Sequence, residues 1–196
     1  KTMELPACKA VTVTAVANGQ TQQRTLYMNS RGVYVVDFSS FQALAPSGYN
    51  FVGWTGGFLG QSIVTGRYTI DAVDYDDPDL AEHLTITAEF RERLLVSYSI
   101  DSQYSNSFFL REEVNDGYYV SGVKTPVAKD GYTFVGWHIA VVDNDGTITG
   151  IGEIFDLAND TVDSELCNST GTAIGSTYKM LQLVAVFEDA EGNEVW

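Results

Sequence analysis

The sequence predicts a strand-dominated fold built from two consecutive modules of one kind, and three observations predict it. A seven-residue motif occurs twice: Gly48-Tyr49-Asn50-Phe51-Val52-Gly53-Trp54 and Gly131-Tyr132-Thr133-Phe134-Val135-Gly136-Trp137 agree at six of seven positions, 83 residues apart. A second pair follows in the same order, Leu84-Thr85-Ile86-Thr87-Ala88-Glu89-Phe90 and Leu181-Gln182-Leu183-Val184-Ala185-Val186-Phe187, 97 residues apart. Self-similarity of this kind marks duplicated units. Apolar residues also alternate with polar ones along most of the chain, whereas no long stretch has the spacing of an amphipathic helix. The larger second offset places fourteen additional residues between Trp137 and Leu181. They are expected within Val141–Lys179, where Gly146, Gly150, Gly152, Gly171 and Gly175 mark turns.

Each element has a local reason. Val11, Val13, Ala15 and Ala17 alternate with Thr12 and Thr14, which is a strand with one apolar face. Asn18-Gly19 favours a tight hairpin because both residues tolerate positive φ. A second strand is expected over Arg24–Asn29, then a short one over Val33–Val36. Asp37 or Ser39 is placed to cap a short helix carrying Phe38, Phe41 and Leu44 at spacings of three. In the motif, Gly48 and Gly131 let the chain leave a turn at positive φ, while Gly53 and Gly136 leave space beside a bulky neighbour. Strict alternation sets Tyr49, Phe51 and Gly53 on one face and Asn50, Val52 and Trp54 on the other. Phe51, Trp54, Phe134 and Trp137 are expected in the core, each ring contributing about 2–3 kcal/mol on burial. Leu84, Ile86, Ala88 and Phe90 form the closing strand.

The second module repeats the order. Val96, Tyr98 and Ile100 open it, a looser turn runs through Asp101, Ser102, Gln103, Ser105 and Asn106, and strands are expected at Phe108–Val114 and Tyr118–Val120. Ser121–Lys129, with Gly122 and Pro126, reads as a turn. Its closing strand has Val184 and Val186 on the second face, so it is expected to be covered on both sides. The three charges Arg91-Glu92-Arg93 mark the boundary, giving modules at 1–91 and 92–196 and a short joint with restricted orientation.

Composition excludes more than it selects. The 196 residues carry eleven basic and twenty-six acidic side chains, for a net charge of −15. Nucleic acid and anionic membrane surfaces repel such a chain, so neither is expected as a partner. No apolar run approaches a bilayer span, and no membrane insertion is expected. Cys8 and Cys167 show no metal-ligand spacing and are expected to remain thiols. Leu5-Pro6-Ala7-Cys8 has the small residues of a lipoprotein cleavage site, but only four residues precede it, so it reads as ordinary chain.

Candidate chemistry is sparse. His83 and His138 occupy different places in the two modules and lack metal spacing. Asp143-Asn144-Asp145-Gly146 fails the calcium-loop register, because the first and twelfth ligands fall on Val141 and Gly152; a hairpin turn is expected instead. Asp74, Asp76, Asp77 and Asp79 put oxygen ligands at near-alternate positions for a hard cation. A solvated loop is the expected reading there, so no metal and no cofactor are predicted. Asn168-Ser169-Thr170 reads as an exposed polar loop. With no nucleophile–base pair, phosphate loop or dinucleotide fingerprint, no catalytic residues are expected.

At the motif residues the chain resembles the InlB B-repeat (Listeria–Bacteroides repeat) family of bacterial surface and secreted proteins. Val11–Gly19, the heptad Gly48–Trp54 and the strand Ile86–Phe90 carry the first copy; Gly131–Trp137 and Val184–Phe187 carry the second. The closing strands end in Phe90 and Phe187 where the family usually has Trp, and a single Gly19 follows Asn18 where it usually has two. The resemblance implies an α+β fold: two tandem β-grasp-like (ubiquitin-like) modules, each a twisted, mostly antiparallel sheet with one short helix or turn. It also implies an extracellular, secreted or surface-attached, non-catalytic role as a spacer, adhesive or protein-contact element, with no site residues to carry over. The alternative is a glycan- or host-protein-binding module using exposed aromatics, with a protein or glycan partner at the cell surface. The chain is expected to be a monomer.

Overall fold

Period-two patterning yields twelve strands and one helical turn among the residues that the computed structural model describes, namely 10–27, 29, 31, 33–56, 59–60, 62–71, 83–173 and 175–196. The chain forms two compact units, Lys1–Arg91 and Glu92–Trp196.

In the first unit, β1 (Ala10–Ala17) buries Val11, Val13, Ala15 and Ala17. Asn18 (φ 49°) and Gly19 (φ 73°) turn the chain directly into β2 (Gln20–Tyr27), which pairs antiparallel with β1, Val13 opposite Arg24. The strand begins four residues earlier than Arg24, because a two-residue turn leaves Ala17 opposite Gln20 with no loop between them. β3 (Val33–Asp37) pairs antiparallel with β5 (Arg67–Asp71) as a separate two-stranded sheet. Between β3 and β4 (Tyr49–Thr55) lies a 3-10 turn, Phe38–Ser40, capped by Asp37, whose Oδ1 accepts from the Ser39 N–H at 3.1 Å.

The expected helix is only those three residues long. Phe38 and Phe41 are buried, but Leu44 is 79% exposed. Side chains of the first hairpin take the backbone groups that a longer helix would use. Gln22 exchanges two hydrogen bonds with the Gln42 backbone, and Asn18 Nδ2 donates to the Leu44 carbonyl.

β6 (His83–Ser99) corrects a second expectation. The closing strand of one module and the opening strand of the next are a single strand, continuous through Arg91-Glu92-Arg93. Those three residues contain no turn former, and the Glu92 carbonyl and Arg93 are held by Asp116 and Asn115 on the neighbouring chain segment. The His83–Thr87 end runs parallel to β1 with Leu84 opposite Val13. β4 also pairs with β6.

In the second unit, the Leu95–Ser99 end of β6 runs parallel to β11 (Ser176–Glu188), with Val96 opposite Leu181. β7 (Glu112–Asn115) is antiparallel to Arg93–Val96 and is all that forms of the strand expected from Phe108. β8 (Thr133–Val142) lies antiparallel between β11 and β9 (Ile148–Phe155), while β10 (Ser169–Ala173) and β12 (Glu194–Val195) also pair with β11. Tyr118 makes one isolated bridge to Val162 in place of a strand. Leu183 through Phe187 of β11 are all buried, on both faces.

The two units share a pairing scheme. In each, an opening strand runs parallel to a closing strand, and the motif strand flanks the closing strand on its other side. The register is also the same: Val13 faces Leu84 and Val96 faces Leu181, at the sequence offsets of 83 and 97. Trp54 bridges Val64 ten residues on, whereas Trp137 pairs with Phe155 eighteen residues on. Eight of the fourteen additional residues thus lengthen the β8–β9 hairpin, and six fall between Phe155 and Phe187.

Candidate functional site

The motif strand builds a core rather than a pocket. Trp54 is 1% exposed and Trp137 3%. Each meets a phenylalanine three residues earlier edge-on: Phe51–Trp54 at 5.3 Å and Phe134–Trp137 at 5.8 Å between ring centroids. Each phenylalanine in turn meets the end of the closing strand, Phe51–Phe90 at 6.0 Å and Phe134–Phe187 at 5.7 Å. Such edge-to-face pairs add about 0.5–1.5 kcal/mol beyond area burial. Phe and Trp share a core despite their odd spacing because alternation breaks in the motif. In the β8–β11 ladder Val186 faces Gly136 but Phe187 faces Phe134, so Val135 of β8 is an added residue and Phe134 and Trp137 reach the same side.

Gly48 (φ 82°) and Gly131 (φ 88°) both turn at positive φ. A Cβ on Gly53 (φ 149°) would collide with Ile63 Cγ2, and one on Gly136 would lie 3.0 Å from Ile154 Cδ1.

The second unit holds a polar cluster that sequence reasoning missed. Glu112 accepts from Tyr98 Oη and pairs with Lys124 Nζ through Oε1, and accepts from the Ser121 N–H (2.9 Å) and hydroxyl through Oε2. Lys124 Nζ also lies 4.9 Å from the centre of the Tyr98 ring, and Trp137 Nε1 donates to the Lys124 carbonyl at 2.7 Å. Burial alone would raise the Glu112 carboxyl, but the bonds from Lys124, Ser121 and Tyr98 outweigh it and hold it below the usual carboxylate range. Burial and the Glu112 carboxylate push the Tyr98 phenol well above its ordinary value. The signal was a departure from the repeat. Thirteen residues before the motif tryptophan stands Phe41 in one copy and Lys124 in the other, and Ala15 corresponds to Tyr98 at the offset of 83.

Beside this cluster lies a depression of about 540 Å³ lined by Ser97, Tyr98, Phe108, Phe109, Leu110 and Arg111. Phe109 packs edge-on against Tyr98 and Trp137, whereas Phe108 is 78% and Leu110 74% exposed.

The residues singled out in the sequence do not converge. Asp74, Asp76, Asp77, Asp79 and Cys8 lie outside the described residues, and His83 opens β6. Among the described residues no three His, Cys, Asp or Glu side chains are grouped to hold a metal ion. His138 Nδ1 lies 2.9 Å from the Gly152 carbonyl inside the β8–β9 hairpin. Asp143 Oδ1 accepts from the Asp145 and Thr147 N–H groups at 3.0 and 2.8 Å, closing the Asp143–Gly146 turn as a hairpin. Asn168 is not in an exposed loop. Its amide is half-buried and ties the Ala140 carbonyl of β8 to the Gln182 N–H of β11. Cys167 is half-buried and burial pushes its thiol up to about 11, which suppresses its nucleophilic thiolate.

These features define a strand-built module organised around a buried Gly-Tyr-x-Phe-x-Gly-Trp strand. Residues 9–93 match the family model of the divergent InlB B-repeat domain. Domains of the family occur in bacterial surface or secreted proteins. No curated protein is detectably similar to the chain. No helix among the described residues is long and apolar enough to cross a membrane.

Proposed function

We propose that the chain is a pair of tandem B-repeat modules, β-grasp-like in strand order, that acts outside the cell as a non-catalytic spacer and contact element of a bacterial surface or secreted protein. The observation that carries this reading is the common register: Val13 faces Leu84 as Val96 faces Leu181, and the same aromatic trio closes each core. Duplication has kept what makes the fold, while His83 and His138, the Asp74–Asp79 run and the Glu112 cluster have no counterpart in the other copy. A retained catalytic site would hold its acids and histidines in register. In place of a longer helix, the first unit carries the Phe38–Ser40 turn.

The test is surface labelling of the organism that makes the protein. An antibody raised against the chain is expected to label intact cells, or their culture medium, and external protease is expected to remove the cell-bound signal. Label that appears only after permeabilisation would overturn the extracellular reading. Exposed Phe108 favours the contact role over a purely spacing one, since nothing in the core requires an aromatic there.

A further inference from the structure

We infer that the second unit binds an extended peptide strand, apolar at alternate positions and acidic at its ends, in the slot between Ser97–Ser99 of β6 and the segment Phe108–Arg111; the inference rests on reading the two units as copies of one module. The two copies treat the same sheet edge differently. In the first, pairing continues past Val13↔Arg24 through Thr14↔Gln23, Ala15↔Gln22 and Val16↔Thr21 to Ala17↔Gln20, so the chain's own β2 covers that edge to its end. In the second, the matching ladder stops at Val96↔Glu112. Phe108–Arg111 then run without ladder pairing, and the 540 Å³ depression lies between them and Ser97-Tyr98.

The occupant follows from what holds that place in the first unit, which is an extended strand of four residues, Gln20–Gln23. A strand end with a neighbour on one side only is a template for main-chain pairing, and adjoining side chains then select the sequence. Here the selecting surface is apolar: exposed Phe108 and Leu110, and the Tyr98 ring held in place by Glu112 and Lys124. The corresponding surface of the first unit is Gln20, Thr21, Gln22 and Gln23, so the fold itself does not demand apolar residues there. Arg111 gives the sign of the charge. It is exposed and makes no ion pair among the described residues, in a unit with seventeen acidic and five basic side chains. A cation left free on an acidic body favours an acidic partner near it.

The experiment titrates the full ¹⁵N-labelled chain with a capped eight-residue synthetic peptide that alternates valine and threonine between terminal glutamates. A second peptide with a central proline, which cannot donate to a ladder, is the control. Saturable amide shifts confined to Ser97–Ile100 and Phe108–Glu112 are expected below about 1 mM peptide, with little response to the proline peptide. Arg111→Glu and Leu110→Ser alter exposed side chains and are each expected to weaken binding about fivefold or more with spectra otherwise unchanged. Absence of shifts, shifts centred on another strand, an equal response to the proline peptide, or indifference to both substitutions would overturn the inference. Any of these leaves surface exposure, which is measured separately, untouched.

Discussion

Two glycines that the sequence presents as equivalent do unequal work. Gly53 has both a positive φ and no room, since its Cβ would meet Ile63 at a branch carbon and the Val64 carbonyl at 3.2 Å. Gly136 would meet only the far end of the exposed Ile154 side chain. Gly53→Ala is therefore expected to cost about 2–4 kcal/mol and Gly136→Ala less than about 1 kcal/mol, read by chemical denaturation; equal costs would refute the assignment. Glu112 is the other residue with a distinct signature. Its folded carboxyl titrates below its unfolded value of about 4.3, so its stabilisation is complete above that pH and is lost as pH falls through the folded value. Glu112→Gln is expected to destabilise by about 2 kcal/mol at pH 7 by leaving Lys124 without its anion. As pH falls through that folded value the variant and the parent should converge, and a cost independent of pH would show that the carboxylate charge is not what matters. The buried aromatics were legible because the heptad occurs twice. The Glu112 cluster was not, because it occurs once and joins residues far apart in the chain.

At the level of elements, local chemistry set the turns more faithfully than the lengths. Asn18-Gly19, Asp37 and Asp143–Gly146 sit where their side chains dictate. Spacing overstates the helix after Asp37 because it cannot reveal that Gln22 and Asn18 claim its backbone from twenty or more residues away. Patterning understates β2 because Gln20–Gln23 lacks apolar residues, which an edge strand does not need, and it divides β6 because charged residues resemble a linker. Asn18 joins two of these lessons. It tolerates φ 49° and donates to the Leu44 carbonyl, so Asn18→Ala loses both the turn preference and the tether. The expected cost is about 1–2 kcal/mol, accompanied by faster hydrogen exchange at Phe41 and Gln42. A neutral substitution would mean that the Gln22 bonds alone position the segment.

At the scale of the molecule, one strand serves two cores. Leu84, Ile86 and Ala88 of β6 enter a cluster with Val11, Val13, Tyr34 and Trp54, whereas Leu94 and Val96 enter another with Trp137, Leu181, Leu183 and Phe187. Among the described residues no side chain belongs to both clusters. Burial free energy is carried by these contacts rather than by the strand's backbone, so each unit should open with its own stability even though β6 is covalently and conformationally continuous through Arg91-Glu92-Arg93. Native-state hydrogen exchange on Leu183→Ala tests this. Leu183 is fully buried, and its truncation should lower the stability of the second core by about 2–5 kcal/mol. Amides of β8, β9 and β11 are then expected to exchange at least about 30-fold faster, while those of β1, β2 and the His83–Thr87 end of β6 change less than about threefold. A uniform loss of protection across all of these strands would mean that β6 couples the cores into one cooperative unit. In that case the repeat would be a feature of sequence and topology, with stability belonging to the pair.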